Sequence, residues 1–205
     1  MKIANAPTGP GQANTYIVDD EHGKCFIVDP GGYAADITKY IKEHDFELEY
    51  IVLTHGHGDH IGGVEGYRND FPEVKVIAHE AEAEMLHNPE MNFTRMMFGK
   101  PITVDADQYV KEGDVLKCGE IEMKFFHTPG HSPGGMCILC DNVLFSGDTL
   151  FQQSVGRTDF EGSSYEDLKK SIKEKIFTLP DDTQVLPGHM GPTNVKFEKE
   201  HNPFV

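Results

Sequence analysis

The segment THGHGDH, residues 54–60, follows the apolar run YIVL at 50–53. A β-branched, aromatic run of this kind reads as a strand. Directly after it, His55, His57, Asp59 and His60 fall within six residues. In extended backbone, positions i and i+2 point to the same side, so His55 and His57 can grip one ion together. Gly56 and Gly58 leave the backbone free to bend and to come close. Asp59 and His60 then turn toward a second position. A plain polar loop has no use for four ligand-type side chains interleaved with glycine at the end of a buried-looking strand.

Three later runs end in the same manner: FFHTPGHS (125–132), VLFSGDT (143–149) and VLPGHMG (185–191). They carry His131, Asp148 and His189. In layered α/β chains, sites assemble at the carboxyl ends of strands, so these groups converge if the four strands are neighbours. Other strands are expected at 14–20, 24–32, 74–79 and 135–141. Helical spacing or propensity marks 33–44, 61–70, 80–86, 163–177 and 193–201. Ser164 is placed to cap the clearest of these helices. Residues 88–109 read as irregular, either a functional loop or a helical insert; for Met91, Phe93, Met96, Met97 and Phe98 there, core filling is expected ahead of lining a substrate pocket. The pattern suits one domain over 1–205 with a mixed α/β or α+β layered fold.

Apolar residues make up 38% and charged residues 25% of the 205 positions, an ordinary globular balance that excludes disorder and collagen. The net charge of −16 repels phosphate backbones, so no nucleic-acid partner is expected. No apolar run approaches the roughly 20 residues of a membrane helix, and no signal segment is evident, so no membrane partner and a cytoplasmic location are expected. The four cysteines do not suggest a disulfide framework. Cys137 and Cys140 form C-x-x-C, but in a strand they face opposite sides and should both pack. GHSPG (130–134) matches the serine-hydrolase elbow, yet Pro133 lacks the N–H that the oxyanion would need, and the segment leads into a strand rather than a helix.

Five imidazoles and two carboxylates, seven donors in all, are too many for one tetrahedral ion and about right for two sharing a carboxylate. Imidazole and carboxylate suit zinc first, with iron and manganese compatible; no thiolate is offered. At this point the sequence resembles the metallo-β-lactamase superfamily, and more narrowly the small glyoxalase II-like hydrolases. The resemblance rests on HGHGDH, TPGHSPG (128–134), SGDTLF (146–151), VGRTDF (155–160), LPGH (186–189) and HNPF (201–204). It implies a four-layer αββα sandwich with two mixed sheets face to face. It also implies two divalent metal ions, one on His55, His57 and His131, the other on Asp59, His60 and His189, with Asp148 bridging. Asp59 and Asp148 are the carboxylates expected to serve catalysis. Asp29 matches a strand-end acid that orients a ligand imidazole.

The activity implied is hydrolysis of a small-molecule thioester such as lactoylglutathione. A hydroxide held between the ions would attack the carbonyl, and the thiolate would leave with little acid assistance. Larger glyoxalase II enzymes hold glutathione with a basic residue and a Tyr after the bridging Asp. Arg157 stands at the first position and Phe160 near the second, where no hydrogen bond can be donated. Arg157 pairing with Asp159 is an equal expectation, and Arg95 and Lys100 are weaker substrate contacts. The alternative is a mononuclear iron persulfide dioxygenase. GRTDF (156–160) resembles the loop of those enzymes, and His55, His131 and Asp148 map to the iron ligands. A nuclease is opposed by the charge, a β-lactamase by the absence of a secretion signal, a flavo-diiron reductase by His57 and the missing flavin domain, and a non-catalytic module by the complete donor set.

Overall fold

The structure, a computed structural model, describes residues 1–205. The chain first builds a six-stranded sheet from β1 (Lys2–Thr8), β2 (Ala13–Asp19), β3 (Lys24–Val28), β4 (Glu47–Val52), β5 (Lys75–His79) and β6 (Gln108–Val110), paired in that order. β1, β2 and β3 are antiparallel; β3 through β6 run parallel. Helices α1 (Ala35–Glu43), α2 (Gly58–Ile61), α3 (Val64–Asp70), α4 (Ala83–His87) and α5 (Thr94–Phe98) lie in the connections.

The second sheet takes β7 (Val115–Cys118), β8 (Ile121–His127), β9 (Met136–Cys140) and β10 (Val143–Gly147). A hairpin, β11 (Leu150–Phe151) and β12 (Ser154–Val155), and helix α6 (Tyr165–Glu174) separate these from β13 (Gln184–Pro187), β14 (Thr193–Asn194) and the last helix, α7 (Val195–His201). Its strand order is β14-β13-β10-β9-β8-β7. Only β10 and β13 pair in parallel there.

Alternation along the strands sorts the apolar residues into three cores. Tyr16, Phe26, Val52 and Ile77 of the first sheet meet Met123, Phe125, Ile138 and Phe145 of the second. The opposite face of the first sheet (Ile17, Ile27, Ile51, Val76) is covered by Ile37 and Ile41 of α1 and by Val64 and Tyr67 of α3. The outer face of the second (Cys137, Leu144, Val185) is covered by Leu168 and Ile172 of α6. The result is the expected two mixed sheets flanked by helices. Phe145 meets Tyr16 edge-on at 5.3 Å, and a Phe→Ala change at such a position costs about 3–5 kcal/mol. Cys137 and Cys140 fall into different cores, as opposite-facing residues must.

Local readings needed three corrections. β1 was not anticipated, because KIANAPT is a half-exposed edge strand whose Pro7 lacks a ladder donor. The 88–109 segment is not wholly irregular. It holds α5 and β6, pinned by buried Asn92, whose amide donates to the Met85 and Ile102 carbonyls (3.2 and 3.1 Å). The four strands with polar ends do not all adjoin: β4 lies in the first sheet and β8, β10 and β13 in the second. Their ends meet because both sheets direct them to one edge of the sandwich.

Candidate metal centre

β4 ends at Val52, and Thr54 begins the loop that carries His55 and His57 into α2. The His57 carbonyl accepts the N–H groups of His60 (2.9 Å) and Ile61 (3.2 Å), so His57 caps the short helix that presents Asp59 and His60. His131 comes from the β8–β9 loop, Asp148 from the end of β10 and His189 from the end of β13.

The seven side chains form two joined groups. Donor atoms of His55, His57 and His131 lie within 4.8 Å of one another, as do those of Asp59, His60 and His189. Asp148 spans them. Its Oδ1 is 3.4 Å from His60 Nε2, and its Oδ2 is 3.5 Å from His131 Nε2 and 3.7 Å from His189 Nε2. Asp59 Oδ2 lies 3.3 Å from His189 Nε2. Asp29 belongs to a third such group with His55 and His60, but its carboxylate is already engaged. It accepts the Thr54 N–H (2.7 Å) and hydroxyl (2.6 Å) and holds His60 Nδ1 at 2.9 Å. It thereby turns His60 Nε2 toward Asp148. His131 is aimed in the same way, donating from Nδ1 to the Arg157 carbonyl at 2.8 Å.

The donor chemistry fits cations. Nε2 of His55, His57 and His60 and Oδ1 of Asp148 are buried with no hydrogen-bond partner. Buried polar atoms are rarely left so, and three imidazole nitrogens with a carboxylate oxygen are donors of the kind a metal would satisfy. Burial and the neighbouring imidazoles hold His55 far below the ordinary histidine range and His57 at about 3, so both rings are neutral, the form that coordinates metal. Burial opposes charge on His60 as well, but Asp148, Asp29 and Asp59 outweigh it and lift the group to about 10. Burial likewise opposes ionisation of Asp59, yet His60 and His189 hold its carboxyl well below the usual range.

A cavity of about 420 Å³ opens over both groups. Phe93, Met97, Phe151, Val155, Phe160 and Met190 form its apolar walls. Phe93 and Met97 are therefore cavity lining rather than core filling, and Met96 is 75% exposed. Apolar content alone cannot distinguish a side chain turned to the core from one turned to a cavity. Arg157 lines the rim with its guanidinium 4.3 Å above the Phe160 ring, and it also binds Asp159 through Nε (2.9 Å) and Nη2 (2.7 Å). Both expectations for Arg157 thus have a geometric counterpart. Arg95 pairs with Glu90 at 2.7 Å, and neither it nor Lys100 reaches this cavity. Sequence reasoning missed Asn14 and Tyr16, which both donate to the Pro187 carbonyl (2.9 and 2.7 Å) and steady the His189 loop. It also missed Glu82, buried between two ligand-bearing loops. Nothing in local sequence marks any of them.

Two layers of helix around two facing sheets, with a His/Asp cluster at one edge, place the chain in a known class. The Metallo-beta-lactamase superfamily pattern matches residues 8–189, and the chain belongs to that superfamily. It is 40% identical over 210 residues to the "Probable metallo-hydrolase YqgX" of Bacillus subtilis (strain 168), spanning 100% of this chain and 98% of the relative. It is 35% identical over 212 residues to the "Hydroxyacylglutathione hydrolase GloC" of Haemophilus influenzae, spanning 100% and 98%. Among solved structures it resembles BLEG-1 B3 metallo-beta-lactamase (TM-score 0.92, 39% identity, 99% of both chains). It also resembles TTHA1623 in a di-iron-bound form (TM-score 0.86, 28% identity, 98% and 100%). The superfamily and the cluster together imply divalent metal and a metallohydrolase. No helix is long and apolar enough to cross a membrane.

Proposed function

We propose that the protein hydrolyses thioesters with two divalent metal ions, held by His55, His57 and His131 on one side and by Asp59, His60 and His189 on the other. The observation that carries this reading is Asp148, whose two oxygens face both groups. Metals bound there would lower the pKa of water from 15.7 to roughly 7 and polarise an ester-like carbonyl. The chain supplies the rest. Asp29 and the Arg157 carbonyl keep His60 and His131 in the tautomers that face the centre. Phe93, Met97 and Phe160 restrict water and seat an apolar part of the substrate against the reacting carbonyl. A thiolate, with a thiol pKa of about 8.5, leaves without a dedicated acid.

The named activity of the GloC relative supports a hydroxyacyl thioester, and the di-iron form of TTHA1623 supports two metals. The likeness to BLEG-1 motivates a second reading, attack on a β-lactam carbonyl by the same donor groups. The persulfide dioxygenase alternative uses one iron and assigns no task to Asp59, His60 and His189. A single panel separates the three: metal per chain by elemental analysis, then hydrolysis of a lactoyl thioester, hydrolysis of a cephalosporin, and oxygen uptake with glutathione persulfide. The proposal expects two ions and thioester hydrolysis that chelation abolishes and added Zn, Fe or Mn restores. One iron with oxygen uptake, or β-lactam turnover without thioester turnover, would overturn it.

A further inference from the structure

Glu82 closes a short turn between β5 and α4 and is 1% exposed. Its two oxygens are spent on two different loops. Oε1 accepts the Gly56 N–H at 2.8 Å, and Oε2 accepts the Gly134 N–H at 2.6 Å. Gly56 stands between His55 and His57; Gly134 lies three residues after His131. The first loop leaves the first sheet, and the second connects two strands of the other. The Met136 N–H to the Thr54 carbonyl (2.9 Å) is the backbone contact beside this bridge. His57 Nδ1 and His131 Nε2, 2.9 Å apart, are brought together across this seam.

We infer that Glu82 is a positioning residue: one buried carboxylate sets the spacing between the His55–His57 loop and the His131 loop, and so shapes the first donor group. This rests on the metal assignment proposed above. The neighbours are fitted to the carboxylate. A Cβ at Gly134 would lie 2.4 Å from the Glu82 nitrogen and 2.5 Å from Oε2, so glycine there lets the acid approach the backbone; at Gly56 the fit is looser, with Met85 Cγ at 3.2 Å and Glu82 Cγ at 3.3 Å. Both facing groups are donors, so an acceptor is required at each oxygen. An amide satisfies one and turns its own N–H groups on the other. A buried donor left unmatched is costly, and the loop moves to relieve it. Glu82 touches neither His55, His57 nor His131 through its carboxylate, which separates positioning from ligation.

The test uses Glu82→Gln, which conserves volume, with circular dichroism and thermal melting as checks on folding. Zinc affinity and stoichiometry are measured by titration, and the Co(II)-loaded protein is followed by visible absorption. Wild type is expected to hold two ions. Glu82→Gln should keep its far-UV spectrum yet bind one ion about 10–100-fold more weakly, the range typical of lost outer partners, with the other unchanged. The Co(II) bands of the weakened ion should shift. If Glu82→Gln does not fold, Glu82→Asp, which shortens the bridge by one methylene, should weaken the same ion. Glu82→Asp, which keeps the carboxyl group, should recover more affinity than Glu82→Ala. Two ions at wild-type affinity with unshifted Co(II) bands in Glu82→Gln would overturn this inference and leave the proposed function standing. A wild-type protein that binds no metal would overturn both.

Discussion

The two sheets supply the centre in different ways. The first delivers four donors from one six-residue segment, residues 55–60. The second delivers three, His131, Asp148 and His189, from three separate strand ends. The first contribution is local and depends on glycine-rich backbone and a helical turn. The second is topological and depends on β8, β10 and β13 lying at fixed places in one sheet. Burial does not follow this division. His55, His57 and His60 of the first segment are 2%, 4% and 0% exposed, and His131 of the second sheet is 6% exposed, whereas the His189 side chain is 26% exposed. His189 alone among the five imidazoles reaches in from the rim and stays open to solvent.

This contrast can be broken most directly at Asp148, where the second sheet touches both groups. Asp148→Ala is expected to lower both bound metal and kcat/KM, the latter on the order of 10³-fold, with folding retained. Activity surviving the loss of metal would end the mechanism. His57→Ala and His189→Ala sharpen the contrast next. Each should release one ion, but the buried ring should cost more, about 10²-fold in kcat/KM against roughly 10-fold for the half-open one. Equal losses in metal titration and turnover would show that burial does not rank the ligands. Asp29→Asn keeps the shape but weakens the grip on His60. Metal affinity should fall about 10-fold, and the metal-free protein should also melt lower, because a buried carboxylate with three partners is lost. The smallest effect belongs to the rim. Asp159→Asn releases Arg157 and should raise kcat/KM for a glutathione thioester about 2–5-fold over that for a thioester of a neutral thiol. No change in that ratio would remove Arg157 from substrate recognition.

Legibility in the sequence follows physical range. THGHGDH could be read as a donor-rich segment because its side chains are spaced by local geometry alone. His131, Asp148 and His189 could be nominated from strand-end context, but their partners could not be derived from spacing, and the ligand division came with the family resemblance. Phe93 and Met97 could be read either as core or as pocket lining, because apolar content does not record which surface a side chain faces. Glu82 sits in EAEAEML, where an acid is an ordinary helix-former on a solvated face, and nothing nearby hints that it is buried. β1 escaped because an edge strand needs little apolar content to pair.

By itself, then, the amino-acid order dictated the alternation of strands and helices, the glycine-spaced His/Asp segment and the absence of thiolates from the donor-type residues at the strand ends. These depend on neighbours a few residues apart, where chain geometry leaves few choices. Tertiary structure alone decided that Asp148 faces both donor groups, that a cavity wall is built from Phe93, Met97 and Phe160, and that one buried carboxylate joins loops 26 and 52 residues away from it. Such contacts are chosen by how two sheets pack, and packing distances carry no periodic mark along the chain.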